Sequence, residues 1–154
     1  HENEHIRSWS IQLLLEKKDI SVESLSALEN MAVKESSPLV RLYLTAGLMR
    51  LPLGQRWKIL EILSGKQEDI KDHNLPLMLW YAAEPLAELN MEKLIGIAES
   101  TKMPQFLKFT IQRIGAINSE YSKKVLKALA LRLGHQHENH ENVRLIEKLT
   151  AANP

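Results

Sequence analysis

The densest group of potential metal ligands lies near the C-terminal end of the sequence. It contains three histidines and two glutamates: His135, His137, Glu138, His140 and Glu141. Imidazole groups at this density can hold zinc, copper or nickel, so the three histidines form a candidate metal site. The alternative is a polar turn, in which Gly134 ends one helix and Asn139 or Asn142 begins the next. We favour the turn, because flexible ligands without supporting hydrogen bonds seldom form a specific site.

A second candidate site lies in the stretch DHNLPLMLWYAAEPL, which combines polar and aromatic side chains. Its members are Asp72, His73, Asn74, Trp80, Tyr81 and Glu84. Such a group could bind a partner segment or another domain. The alternative is a buried helix that is capped by Asp72 or Asn74 and is apolar on nearly all of its faces.

We favour the buried helix for this stretch, because a large aromatic side chain among leucines and alanines usually packs into a core. Pro76 falls in the first turn, where a missing N–H is harmless, and Pro85 is expected to bend the helix. Glu84 is then expected to be a buried acceptor that pairs with Arg41 or with backbone donors freed by the bend.

Several kinds of chemistry are excluded by the residues that the sequence lacks. It contains no cysteine, which removes disulfides, thiolate nucleophiles, zinc held by cysteine and covalent c-type haem. It also contains no Gly-x-Ser-x-Gly, no phosphate-binding loop and no His-Glu-x-x-His. We therefore expect no enzymatic activity, no catalytic residues and no cofactor.

The charge balance bears on possible partners. Lysine and arginine number 20 and aspartate and glutamate 19, a formal net charge of +1 that offers no general attraction for nucleic acid. Arg7, Arg41, Lys108 and Arg144 occupy similar positions near helix starts, but Leu79 interrupts their row. No apolar run approaches the roughly 20 residues of a membrane helix, so we expect no direct membrane contact.

Helical periodicity runs through almost the whole chain and predicts an all-α fold of about nine helices. Ser21 and Ser37 are expected N-caps, Pro38 takes a first helical position, and Gly65 ends a helix. A polar loop of about ten residues is expected at 65–74.

The helices repeat weakly in units of two. Similar helix starts recur at intervals of roughly 30–45 residues, which is typical of an α-solenoid. We expect one repeat domain over residues 1–154 that is a piece of a longer chain. Its ends should expose apolar side chains and cause weak self-association. At one end these are Ile6, Trp9 and Leu13, and at the other Val143, Ile146 and Leu149.

The helix starts HIR, LVR and NVR, followed by small and apolar residues, resemble the second helix of HEAT repeats. The resemblance implies a HEAT- or armadillo-like superhelix in which the arginines Arg7, Arg41 and Arg144 help to tie neighbouring repeats together.

Over roughly residues 2–100, a narrower resemblance is carried by ENEHIRSWSIQLL, SSPLVRLYLTAGLMRLPLGQRWKILEIL and DHNLPLMLWYAAEPL. These segments are similar to the HEAT-like part of large bacterial multidomain proteins often labelled membrane-bound dehydrogenases, which combine a β-propeller with a c-type cytochrome module. The resemblance implies a periplasmic or extracytoplasmic location. Without Cys-x-x-Cys-His, the redox chemistry of such a parent cannot reside in this piece.

Together these features predict a non-catalytic scaffold or docking module that contacts other domains of its parent chain or partner proteins. The alternatives are a peptide- or protein-binding module that uses the loop at 66–74 and nearby side chains, and a metal-binding domain centred on the three histidines. Exposure of Trp57, Trp80 or Tyr81 would favour the peptide-binding module, whereas burial of the aromatic side chains would favour the scaffold.

Overall fold

The computed structural model describes residues 1–17, 19–135 and 139–151, and this part of the chain is helical with no strand. The all-α prediction is therefore confirmed. Its α-helices are α1 Glu4–Leu14, α2 Val22–Lys34, α3 Pro38–Leu48, α4 Trp57–Ser64, α5 Leu75–Ala83, α6 Leu86–Leu89, α7 Met91–Ser100, α8 Pro104–Ile117, α9 Glu120–Leu133 and α10 His140–Thr150. Short 3-10 turns lie at Leu53–Gln55 and Gln67–Asp69.

The break between α5 and α6 falls at Pro85, as the sequence predicts. Pro85 has no N–H to donate to the preceding turn, and α6 is a single turn of four residues beyond the break. If α5 and α6 are taken as one interrupted helix, the described residues contain the nine helices that the periodicity predicts.

Most of the predicted helix boundaries are confirmed. Ser21 and Ser37 accept hydrogen bonds from the backbone of their first turns, Pro38 begins α3, and Gly65 follows the last residue of α4. Asn74 does precede α5, but its side chain makes no capping hydrogen bond. Asp72 accepts from the Leu75 N–H instead, so of the two predicted caps it is Asp72 that makes the hydrogen bond.

The helices pack in two rows. In one row α1 packs on α3, α3 on α5, α5 on α8 and α8 on α10. In the other, α2 packs on α4 and α7 packs on α9. Contacts of α3 and α5 with α4, and of α8 with α7 and α9, join the two rows. The buried leucines, isoleucines and alanines of both rows form one hydrophobic core.

Close approach of helices within the first row depends on two glycines. A Cβ added to Gly47 in α3 would overlap the Leu15 side chain just beyond α1, and one added to Gly115 in α8 would lie 2.7 Å from Leu149 Cδ1 in α10. A leucine from the neighbouring helix therefore fills the space above each glycine, once at each end of the row.

The two ends of the chain differ in what they expose. Ile6, Trp9 and Leu13 on α1 are exposed, as the sequence predicts. The prediction for the other end is wrong, because Ile146 is buried and Val143 and Leu149 are half-buried against the core. They face α8 and α9, and α10 turns mainly charged residues outwards.

Candidate functional site

The central aromatic cluster joins α5 to α8. Trp80 is half-buried and meets the Phe106 ring edge-to-face, with ring centroids 5.8 Å apart and an interplanar angle of 87°. The Phe109 ring lies 5.6 Å away at 42°. These are favourable geometries for aromatic pairs, so Trp80 serves to pack two helices together, as the buried-helix interpretation predicts.

Tyr81 is different from its neighbour, because 55% of it is exposed. Leu77, one turn earlier, is 41% exposed and shares the outward side of α5. The expectation that nearly all faces of this helix are buried is therefore wrong along this side. The buried side of α5 carries Leu75, Leu79, Ala82 and Ala83. Leu77 and Tyr81 thus form an apolar and aromatic surface, whereas Trp57, the remaining central tryptophan, is buried.

Glu84 lies next to this surface and binds Arg113 of α8, not Arg41. The Arg113 Nε donates to Glu84, and its Nη2 donates to Glu88 at 2.5 Å. The Glu84 side chain is 39% exposed, so the prediction of a buried acceptor is wrong in both its burial and its partner. Glu84 and Glu88 lie on either side of Pro85, so Arg113 holds the bend between α5 and α6 against α8.

The polar residues before α5 have a structural role. The Asp72 carboxylate accepts from the backbone N–H groups of Leu75 at 2.9 Å and Asn74 at 2.8 Å. These hydrogen bonds hold the pKa of Asp72 below its ordinary value, because they favour the charged form. His73 and Asn74 are exposed. Of the six predicted site residues, Asp72, His73, Asn74 and Tyr81 are exposed, whereas Trp80 and Glu84 are half-buried.

A buried ion pair that the sequence does not predict connects α3 to the turn before α5. Arg41, 2% exposed, donates from Nε and Nη2 to the Asp69 carboxylate at 2.6 and 2.5 Å. Its Nη1 donates to the backbone oxygen of Glu35 at 3.1 Å. The polar sequence around Asp69 is typical of an exposed loop, but this carboxylate is buried.

The same arrangement occurs one step earlier in the row. Arg7 in α1 donates from Nε and Nη2 to the two Glu35 oxygens at 2.9 and 2.7 Å, and the Ser37 N–H donates to the same carboxylate. The hydrogen bond from Arg7 lowers the pKa of Glu35. In both pairs the acidic residue follows its arginine by 28 positions and precedes the next helix of the row. This repeated spacing is the signal that could have identified the pairs from the sequence.

Arg56 stabilises the other end of the same helices. It is buried and donates to three backbone oxygens: those of Met49, Leu51 and Ala82. The Ala82 carbonyl lies at the end of α5 beside the Pro85 break, where the helix supplies too few donors. Burial lowers the pKa of the Arg56 guanidinium, since it disfavours the charged form.

The predicted metal site is only partly described. His137 lies outside the described residues, while His135 is exposed beyond the end of α9 and His140 is the first residue of α10. Gly134 ends α9 and Asn139 precedes α10, as the polar-turn interpretation predicts. Within residues 1–17, 19–135 and 139–151, no three histidine or carboxylate side chains come together as a metal site would require. The three-histidine hypothesis stays a prediction.

Among the described residues, two further surface features could accept a partner. One is the exposed side of α1, which carries Ile6, Trp9 and Leu13 at 45, 56 and 58% exposure. The other is a groove of about 800 Å³ between α9 and α10, whose walls include Leu131 and Val143. No helix in the described part of the chain is long and apolar enough to cross a membrane.

Comparison of the chain with protein-family models, with curated proteins and with solved structures gives no match.

Proposed function

We propose that this chain is a non-catalytic scaffold or docking module, built as a HEAT-like α-solenoid that contacts other domains or proteins through its surfaces. The observation that carries this proposal is the row of helices α1, α3, α5, α8 and α10, each packed on the next. A unit of two helices cannot bury its own apolar face, so stacked units depend on their neighbours. The Arg7–Glu35 and Arg41–Asp69 pairs support it, because they join successive helices of the row at one spacing.

The docking role is supported by the side chains that remain uncovered. Trp9 is 56% exposed although it is among the largest apolar residues, and Ile6 and Leu13 are exposed beside it. A contiguous apolar group of this kind is typical of an interaction surface. Substitutions on such a surface should change the stability of the fold very little. We therefore expect Trp9→Glu to change the free energy of unfolding by less than about 0.5 kcal/mol, as substitutions away from the core usually do.

Native-state hydrogen exchange on the full chain tests the solenoid. Neighbouring units of a stacked array open separately, so protection should be graded along the chain. Ile146→Ala, which removes buried contacts of α10, should lower protection in α9 and α10 and leave α1 to α3 unchanged. Ile11→Ala in α1 is the matched control and should show the reverse pattern. If either variant lowers protection equally in every helix, the chain is one cooperative globular unit and the solenoid proposal fails.

A second candidate function is peptide binding on the outward side of α5. It is favoured by the exposure of Tyr81 and Leu77, which the scaffold alone does not require. Glu84 and Arg113 beside them would supply polar contacts to an extended segment. A library of short peptides displayed on phage tests this function: specific binders should lose binding with Tyr81→Ala and keep it with Tyr121→Ala. Tyr121 in α9 is a matched control at 53% exposure.

The parent protein is also a proposal. The resemblance of residues 2–100 to the HEAT-like part of bacterial multidomain dehydrogenase-like proteins supports an extracytoplasmic redox protein as the parent. The module would then hold neighbouring domains in place, and the redox chemistry would belong to those domains. Isolation of the full-length protein with its bound groups would test this proposal.

A further inference from the structure

We propose that the groove between α8 and α10 binds an extended acidic segment of a partner protein through Lys108, Arg144 and Lys148. This inference rests on the docking role proposed above and names the chemistry of the partner. The groove has a volume of about 270 Å³, and its walls include these three cations, Glu141 and Leu145. All three cations are exposed, so a partner can reach them from solvent.

The cations of this groove have no carboxylate of their own. Four other arginines of the described residues each bind at least one carboxylate: Arg7, Arg41, Arg113 and Arg132. Over residues 1–17, 19–135 and 139–151, by contrast, no ion pair or hydrogen bond engages the side chain of Lys108, Arg144 or Lys148. Glu141 lines the same groove but pairs with none of them. Three positive charges therefore lack a matching anion, and charge complementarity favours an acidic occupant.

The spacing of the cations fits an extended chain. Arg144 and Lys148 are four residues apart on one face of α10, which separates them by about 6 Å along the helix. Alternate side chains of an extended segment point the same way at intervals of about 6.6 Å. Two acidic residues with one residue between them can therefore face Arg144 and Lys148, with Lys108 on the opposite wall. A helical partner, about 10 Å in diameter, is too wide to enter a groove between two helices that pack directly on each other.

The carboxylates around the groove favour a peptide over a nucleic acid. An extended peptide has a backbone N–H at almost every residue, and Glu141 can accept a hydrogen bond from one of them. A DNA backbone has no such donor, so Glu141 would only repel its phosphates. Towards α5, Glu84 and Glu88 lie beside Arg113 and would repel phosphates that continued across the row. A short acidic stretch is thus accommodated where a uniformly charged chain is not.

Two peptides of equal composition test the spacing: Ser-Glu-Ser-Glu-Ser-Glu-Ser and Ser-Glu-Glu-Ser-Ser-Glu-Ser, both blocked at their ends. Only the first has glutamates at alternate positions. Each is titrated at low salt into the isotope-labelled full chain and followed by nuclear magnetic resonance. Exposed ion pairs are individually weak, so we expect the first peptide to bind with a Kd of about 1 mM and at least about threefold more tightly than the second. Its binding should shift resonances of α8 and α10. Equal affinities, or no shifts in these two helices, would overturn the proposal.

Charge-reversed variants provide the second measurement. Arg144→Glu/Lys148→Glu removes two cations of the groove, and the matched control Lys124→Glu/Lys127→Glu removes two exposed cations of α9. Each double variant changes the formal net charge from +1 to −3, because every substitution lowers it by two, so general attraction falls equally in both. We expect the first variant to weaken binding of the alternating peptide at least about tenfold and the control less than about twofold. Equal weakening, or tighter binding of a short DNA duplex to the same residues, would overturn the proposal. Failure of these tests together with graded hydrogen exchange would leave the proposed scaffold intact.

Discussion

Removal of the Arg41 guanidinium should destabilise the fold far more than removal of an exposed arginine with a similar partner. In Arg41→Met, the Asp69 carboxylate would remain 2% exposed with no cation beside it. Breaking a buried pair on one side typically costs about 3–5 kcal/mol, because an uncompensated charge stays in the interior. The Glu35 backbone oxygen would lose its donor as well, so the upper part of this range is expected.

Arg132→Met is the matched control. Arg132 also donates from Nε and Nη2 to one carboxylate, that of Glu99, at 3.0 Å for each bond. Its side chain is 53% exposed, and exposed pairs contribute about 0–1 kcal/mol. Urea unfolding followed by circular dichroism gives both free energies, and unchanged slopes would show that only stability has changed. Each arginine donates two hydrogen bonds to one carboxylate, so the difference between the two variants reflects burial together with the additional bond from Arg41 to the Glu35 backbone oxygen.

The double variant Arg41→Met/Asp69→Leu completes the test. Replacement of a buried ion pair by apolar residues of similar size is often neutral or stabilising, so this variant should recover most of the loss. A loss of less than about 1 kcal/mol for Arg41→Met, equal to that of Arg132→Met, would refute the assignment of this pair as a tie between α3 and α5. So would a double variant no more stable than the single one.

Three further perturbations have expected outcomes. Gly47→Ala should destabilise the fold by about 1–3 kcal/mol in calorimetric melting, because a Cβ there overlaps Leu15. Gly96→Ala in α7 has open space around it and should stabilise the fold by about 0.5–1 kcal/mol. Stabilisation by both variants would contradict the close packing of α3 at Gly47. Trp80→Ala should lower the free energy of unfolding in urea by about 2–4 kcal/mol, somewhat less than truncation of a fully buried side chain. Tyr81→Ala should lower it by less than about 1 kcal/mol. Equal losses would show that Trp80 does not pack α5 to α8. Because Arg7 lowers the pKa of Glu35, the stabilisation by this carboxylate is complete above about pH 4.5 and is lost as the pH falls through the lowered pKa. Glu35→Gln should therefore flatten the acid side of a plot of unfolding free energy against pH. An unchanged plot would exclude this contribution.

The helices were predictable because their signals are local. Ser37 and Pro38 act on the first turn of α3 whatever surrounds them, and Pro85 interrupts a helix wherever it falls. The same is true of Gly65 after α4. Capping was less certain at α5, where two acceptors compete for the same N–H groups. Asp72 takes them and Asn74 does not, which depends on how the preceding turn is folded.

The candidate site was harder to predict because its decisive contacts are distant in sequence. Glu84 binds Arg113, which comes from a helix that the local pattern does not place beside it. Asp69 was expected in an exposed loop, since its neighbours are polar. It is instead buried against α3, where it pairs with Arg41, 28 positions earlier in the sequence. Tyr81 was misjudged for another reason. A helix with apolar residues on all sides gives no indication of which side faces solvent.

Leu79, which interrupts the row of basic residues, marks where buried ion pairs between helices give way to aromatic packing. Leu79 occupies the position in α5 that Arg7 and Arg41 occupy in α1 and α3, and it is fully buried. Because there is no guanidinium at this position, α5 packs on α8 through Trp80 and Phe106. The ion pair between the two helices lies further along the chain, between Glu84 and Arg113. One junction therefore depends on a buried ion pair and the next on aromatic packing. Hydrogen exchange should separate them: Arg41→Met should weaken protection first in α3, and Trp80→Ala first in α8. Equal loss in both helices would mean that the two junctions open together.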